Sequence, residues 1–251
     1  MPRPAGWSLQ TRSEAILLEI TILSIMAVTF GFLFWVLGMN EAPARSTLTL
    51  TGLITSGGFF IMAATKLKCM ANHNLGLRGE QITGQYLDRL SSTSVHVFHD
   101  LEVREPGCKP WNIDHIVVTP EAVYAIETKA RRKPLTRTRS GQNNHEIIYD
   151  GKRLTFPAPM GSETHGIDQA RASAKWLSAT LSAHLGESIP VKPILVFPGW
   201  WIEAIGKGPV TVLNPKRLSS LMRNPKPLIP KRLQSAIAHH LYERTRIDLS
   251  A

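Results

Sequence analysis

Two uncharged apolar runs stand near the start of the chain, and nothing like them follows. Residues 20–38 read ITILSIMAVTFGFLFWVLG and residues 46–65 read STLTLTGLITSGGFFIMAAT. About 20 apolar residues cross a bilayer core as a helix. The pattern therefore predicts spans at about 16–38 and 46–65, with the short link Met39–Arg45 closing them into a helical hairpin. The second run is diluted by Thr, Ser and Gly, and its small residues Gly52, Ser56 and Gly57 are suited to close packing on the first helix. Two other readings compete. The first run could be a signal peptide, with Ala42-Pro43-Ala44 as a loose cleavage site, although its apolar stretch is long for one and a second run follows. The second run could be a buried helix of a soluble domain.

Beyond residue 72 the pattern becomes that of a folded α/β domain. Leu75–Leu90 has apolar residues at helical spacing, with Gly79-Glu80 near the expected helix start. Val95–Val103 reads as a strand ended by Pro106-Gly107. Ile113–Thr119 and Val123–Lys129 are rich in β-branched and apolar residues and flank Pro120-Glu121, so they predict a hairpin. Residues 131–159 are polar, basic and aperiodic, a long excursion with room for a short strand at Glu146–Tyr149. A helix over Asp168–Leu185, strands at Val191–Phe197 and Val210–Leu213, and short helices near Pro215–Met222 and Pro230–Tyr242 complete the order. The fold class is α/β, a mixed sheet flanked by helices. The expected division is 1–68 for the hairpin, 72–214 for the main domain and 215–251 for a basic helical extension.

Charge sharpens this picture. The 251 residues carry a formal net charge of +10, which points to a polyanionic partner, nucleic acid or an anionic lipid surface. Arg3 and Arg12 precede the first run; Lys66, Lys68 and Arg78 follow the second; the link has only Arg45 beside Glu41. The positive-inside rule then places both termini and the domain in the cytoplasm, most simply at a bacterial inner membrane. Cys69 and Cys108 lack zinc-ligand spacing, which argues against a Cys-rich metal site or a disulfide framework.

Two acids lie within apolar strands, where charge is costly without a partner or a purpose. They are Asp114 in WNIDHIVV and Glu127 in VYAIETK. Alternation puts Lys129 on the face of Glu127 and turns His115 to the other face from Asp114. If Pro120 and Glu121 centre the turn, Val117 faces Tyr124 and Asp114 faces Glu127. Two opposed carboxylates repel, and a divalent ion between them removes the conflict. Carboxylates are hard ligands for Mg²⁺ or Mn²⁺, a main-chain oxygen such as that of Thr128 can complete the shell, and a lysine can steady a nucleophile or a phosphate charge. A plain hairpin with a Glu127–Lys129 ion pair accounts for the same residues.

Three blocks resemble the NERD family, the nuclease-related domain of the PD-(D/E)xK nuclease superfamily. They are LRGEQITGQYLDRL (77–90), IDHIVVTPEAVYAIETKA (113–130) and DQARASAKWL (168–177), the last followed by VKPILVFPG. The resemblance implies a restriction-endonuclease-like core. It implies Asp114, Glu127 and Lys129 as the catalytic set, Glu80 as a supporting acid and Gln169 as a further site residue. Beyond the resemblance, Glu80 could simply favour a helix N-terminus and Gln169 could face solvent.

The acid-free stretch after the second hairpin strand carries Arg131, Arg132, Lys133, Arg137 and Arg139, placed to grip a phosphate backbone or to lie on anionic lipid. The expected function is that of a membrane-anchored, Mg²⁺- or Mn²⁺-dependent nuclease-like protein acting on DNA ahead of RNA. The alternative is a catalytically weak module that holds nucleic acid or protein at the membrane, and a third reading makes the hairpin itself the working part, as a scaffold.

Overall fold

A computed structural model describes residues 2–40, 45–134, 144–222 and 227–246, the side chains of 38–40 and 45 apart. The chain divides into two units: residues 8–75, and residues 1–7 together with 76–251.

The first unit holds helix α1 (Trp7–Asn40) and most of α2 (Arg45–Asp88). Both are long and apolar enough to cross a membrane, and little of their apolar surface is buried within the unit. Leu53, Phe60 and Val28 are each more than 70% exposed, as lipid-facing side chains would be. The helices meet through small residues, as expected at two of three positions. A Cβ on Gly52 would lie 2.5 Å from Phe34 Cβ, and the Ser56 hydroxyl donates to the Ala27 carbonyl. Gly57 faces open space. Phe30 and Phe59 stack with centroids 5.6 Å apart.

The second unit is a mixed α/β fold with two sheets. Strands β1 (His96–Val103), β2 (Trp111–Val118), β3 (Val123–Thr128), β7 (Val191–Val196) and β9 (Thr211–Leu213) form the larger, in the order β1-β2-β3-β7-β9. The β1, β2 and β3 neighbours are antiparallel; β3, β7 and β9 run parallel. The hairpin register follows the sequence expectation: Val117 pairs with Tyr124 and His115 with Ile126. Pro-Glu is not a favoured pair for a tight hairpin turn. Thr119 supplies what is missing, its hydroxyl accepting from the backbone N–H groups of Glu121 and Ala122 at 3.2 and 3.1 Å.

Helices cover both faces of this sheet. One face packs Ile116, Val123 and Ala125 against α3 (His165–Leu185) and α5 (Lys231–Thr245) through Leu177, Leu181, Ile237 and Leu241. The other packs Val117, Tyr124 and Ile126 against Leu87 of α2 and Leu218 and Met222 of α4 (Leu218–Met222). Fully burying one such aliphatic side chain contributes about 1.5–3 kcal/mol. The C-terminal helix thus belongs to the core.

A second, four-stranded sheet goes beyond the sequence expectation. Strands β4 (Glu146–Tyr149), β5 (Leu154–Thr155), β6 (Ser162–Glu163) and β8 (Trp201–Ala204) lie in the order β6-β5-β4-β8. Only β4 is visible in the sequence, because two-residue strands and the half-exposed Trp-Ile-Glu-Ala run carry too few alternations to register. The N-terminal helix of the domain also differs from expectation. Glu80 lies deep within α2, which begins at Arg45, so a helix N-terminus plays no part in its placement.

Candidate active site

The five-stranded sheet gathers the expected residues at one end. Asp114 (β2) and Glu127 (β3) share the α3 face with Ile116 and Ala125, whereas His115 shares the opposite face with Val117 and Ile126. Asp114 Oδ2 accepts the Thr128 backbone N–H at 2.7 Å. Lys129 Nζ bridges Glu127 Oε1 at 2.9 Å and Gln169 Oε1 at 2.7 Å. Glycines permit the close helix approach this needs. A Cβ on Gly79 would stand 2.7 Å from Ala130 Cβ, and one on Gly166 3.1 Å from Leu195 and 3.6 Å from Lys129. Gly79 thus seats α2 where Glu80 reaches the cluster, and Gly166 seats the first turn of α3, which carries Gln169.

Burial and mutual repulsion set the electrostatics. Glu80, 8% exposed, is pushed up to about 8, first by desolvation, then by Asp100 and Glu127, against the pull of Lys129. Desolvation, then Glu127 and Glu80, raise Asp114 well above the ordinary carboxylate range, with the Thr128 N–H opposing. Glu127 is raised by desolvation and held back by Lys129, His165 and the Gln169 amide. Its Oε2 is buried without a hydrogen bond, so the Gln169 amide acts on it only from nearby. An orphaned carboxylate oxygen beside a second carboxylate is a donor set that a hard cation would satisfy. Among the described residues, however, no three His, Cys, Asp or Glu side chains form a group that could hold a metal ion.

A family model described as nuclease-related domain matches residues 75–198. Residues 75–198 are thus similar to the nuclease-related domain family. The match begins within α2, five residues before Glu80, and ends just beyond β7, so it spans every residue of the cluster. No curated protein and no solved structure matches the chain.

Within this domain the structure adds residues that the sequence pattern does not single out. Asp100 lies between the pairs His99–His115 and Leu101–Ile113, level with Asp114, at a left-handed φ of 54° and 1% exposed. Asn112 donates to its carboxylate at 2.6 Å. An acid amid the apolar residues of HVFHDLEV is the available signal. His165, first in α3, favours the charged form of Glu127. The segment before α1 also joins the domain: the Arg3 guanidinium donates to the Asp100 carbonyl at 3.3 Å, and a Cβ on Gly6 would come 3.7 Å from Glu80 Oε2.

On the opposite face a His–His–Asp chain runs from the buried His115 and His99 out to the exposed Asp88. His99 meets His115 Nδ1-to-Nδ1 at 2.8 Å and Asp88 at 2.9 Å through Nε2. Desolvation, then His99, hold His115 well below its ordinary pKa, so it packs as a neutral ring. Of the basic stretch, Arg131 is engaged by Glu163 and lies over the Phe156 ring, while Arg132 and Lys133 are exposed. Arg137 and Arg139 lie outside the described residues.

Proposed function

We propose that this nuclease-related domain hydrolyses phosphodiester bonds of DNA, with RNA as the second substrate, using a divalent cation, at a membrane to which α1 and α2 anchor it. The convergence of Asp114, Glu127 and Lys129 around an unpartnered Glu127 oxygen carries the reading. Asp114, Glu127 and the Thr128 carbonyl would hold Mg²⁺ or Mn²⁺, which when bound polarises a phosphate and lowers the pKa of its water. Lys129, fixed between Glu127 and Gln169, presents a positive charge to the phosphate oxygens. Glu80, largely protonated near neutrality when no cation is bound, tempers the negative charge of the cluster. Arg132 and Lys133 supply sequence-independent backbone contacts. Both termini are cytoplasmic in this reading, because the positive flanks lie on that side of the hairpin.

The test is a nuclease assay on the full chain in detergent, with single- and double-stranded DNA and RNA, Mg²⁺ or Mn²⁺, and a chelator control. Cation-dependent cleavage that the chelator stops is expected. A second reading, a binding module without turnover, draws on the lack of a three-side-chain metal group among the described residues. It takes over if no form of nucleic acid is cut.

A further inference from the structure

A cavity of about 690 Å³ opens beside the candidate active site and plays no part in the chemistry above. Its walls come from the end of β9, the turn that follows it, and β8. Trp201, Leu213 and Leu221 give it an apolar floor, and Lys216, Arg217 and His145 stand at its rim. Among the described residues, no acid lines it. Trp201 is 59% exposed, so much of its ring is open to a ligand. Lys216, Arg217 and His145 are exposed as well.

The cavity is tied structurally to the carboxylate cluster. The Trp200 indole N–H donates to the Arg131 carbonyl at 3.2 Å, and Asn214 donates to the Trp200 carbonyl at 2.7 Å. Because β3, β7 and β9 are parallel neighbours, Thr128 and Leu213 lie level at the C-terminal ends of their strands, two strand spacings or roughly 10 Å apart. That is the rise of about three stacked nucleotides at 3.4 Å each. Lys133 bridges the interval, since a Cβ on Gly199, in the cavity wall, would lie 4.0 Å from its ammonium.

We propose that this cavity takes one unpaired base of a single strand, stacked on Trp201, with the adjoining phosphate on Lys216 and Arg217. The inference rests on the nucleic-acid reading of the domain and adds a requirement that the strand be unpaired there. An aromatic face stacks on any base, and cations on a wall of this kind attract phosphate. A paired base keeps its faces within the helical stack and cannot enter a walled cavity.

The experiment measures binding rather than cleavage. The full chain in detergent, with a chelator present, is titrated into a fluorescein-labelled deoxythymidine oligonucleotide, and separately into the same strand annealed to its complement. Expected is tighter binding of the single strand, a roughly tenfold loss for Trp201→Ala, and unchanged duplex binding. Lys216→Gln with Arg217→Gln, both exposed and so harmless to folding, should weaken single-strand binding and flatten its salt dependence. Single-strand binding that is unchanged in Trp201→Ala and in the double variant overturns the cavity proposal and leaves the nuclease reading standing. Failure of the wild type to bind either form overturns the cavity proposal, while the cation-dependent cleavage assay decides the nuclease reading separately. Short-chain phosphatidylglycerol, titrated in the same detergent, whose binding depends on Trp201 while the single strand's does not would assign the cavity to a lipid headgroup and overturn the proposal.

Discussion

The two sheets of the domain are built on opposite terms. In the five-stranded sheet every residue of β3 is buried, and Glu127 is only 2% exposed. In the four-stranded sheet β8 is an edge strand, with none of its residues buried. One sheet can perturb ionisation, because water is excluded and rigid neighbours fix the carboxylates. The other presents the Trp201 ring in solvent at its β8 edge, next to the cations Lys216 and Arg217 that follow β9, where charge is well screened. Chemistry is thus expected from the buried centre of the first sheet and grip from the exposed edge of the second.

The sharpest way to break this division is Glu127→Ala. Cleavage should fall to background while single-strand affinity stays within about twofold, since the change removes a cation donor and no gripping residue. Equal loss of both, measured by gel assay and by anisotropy, would erase the distinction between the sheets. Lys129→Met should follow, lowering the single-turnover cleavage rate by about 10²–10³-fold, the range seen when one charge-stabilising donor is removed. Neutralising Arg132 and Lys133 together should leave the rate at saturation intact and weaken binding. The slope of log affinity against log salt should shrink by about 0.7 for each phosphate that the variant no longer neutralises.

The smallest effect concerns pH. Glu80 binds its proton more tightly in the folded state, up to about 8, than in the unfolded chain, where about 4.5 applies. The folded state therefore holds more protons through this interval, and stability falls as pH rises across it. With the cation chelated, the Tm should decline from about pH 5 to pH 8, and Glu80→Gln should flatten that decline. A Tm that rises over the same range in the wild type but not in the variant would contradict the assigned burial of Glu80.

The hairpin and its facing are legible in the sequence because β2 and β3 are long enough for alternation to speak and the turn is short. The pairing of Val117 with Tyr124 leaves Asp114 and Glu127 nowhere to go but the same face. Glu80 and Gln169 are reached only through family resemblance, since nothing in local spacing distinguishes them from surface residues of a helix. Asp100 escapes because its left-handed backbone interrupts the alternation that would assign it a face. The second sheet escapes because its strands are short and its pairings non-local: β4 lies parallel to β8 across some fifty intervening residues, α3 among them.

The extreme case of such distance joins the ends of the described chain. Pro2 bridges to Arg246, and the Arg3 N–H donates to the Thr245 carbonyl at 2.9 Å. The wall beside Glu80 and Asp100 is therefore also anchored to the end of α5, across the full length of the described chain. Contacts of such high sequence separation form late and slowly, because loop closure must precede the interactions that reward it. A fragment that starts after the second apolar helix would lack this wall, with Gly84 of α2 bared where Ala5 now covers it.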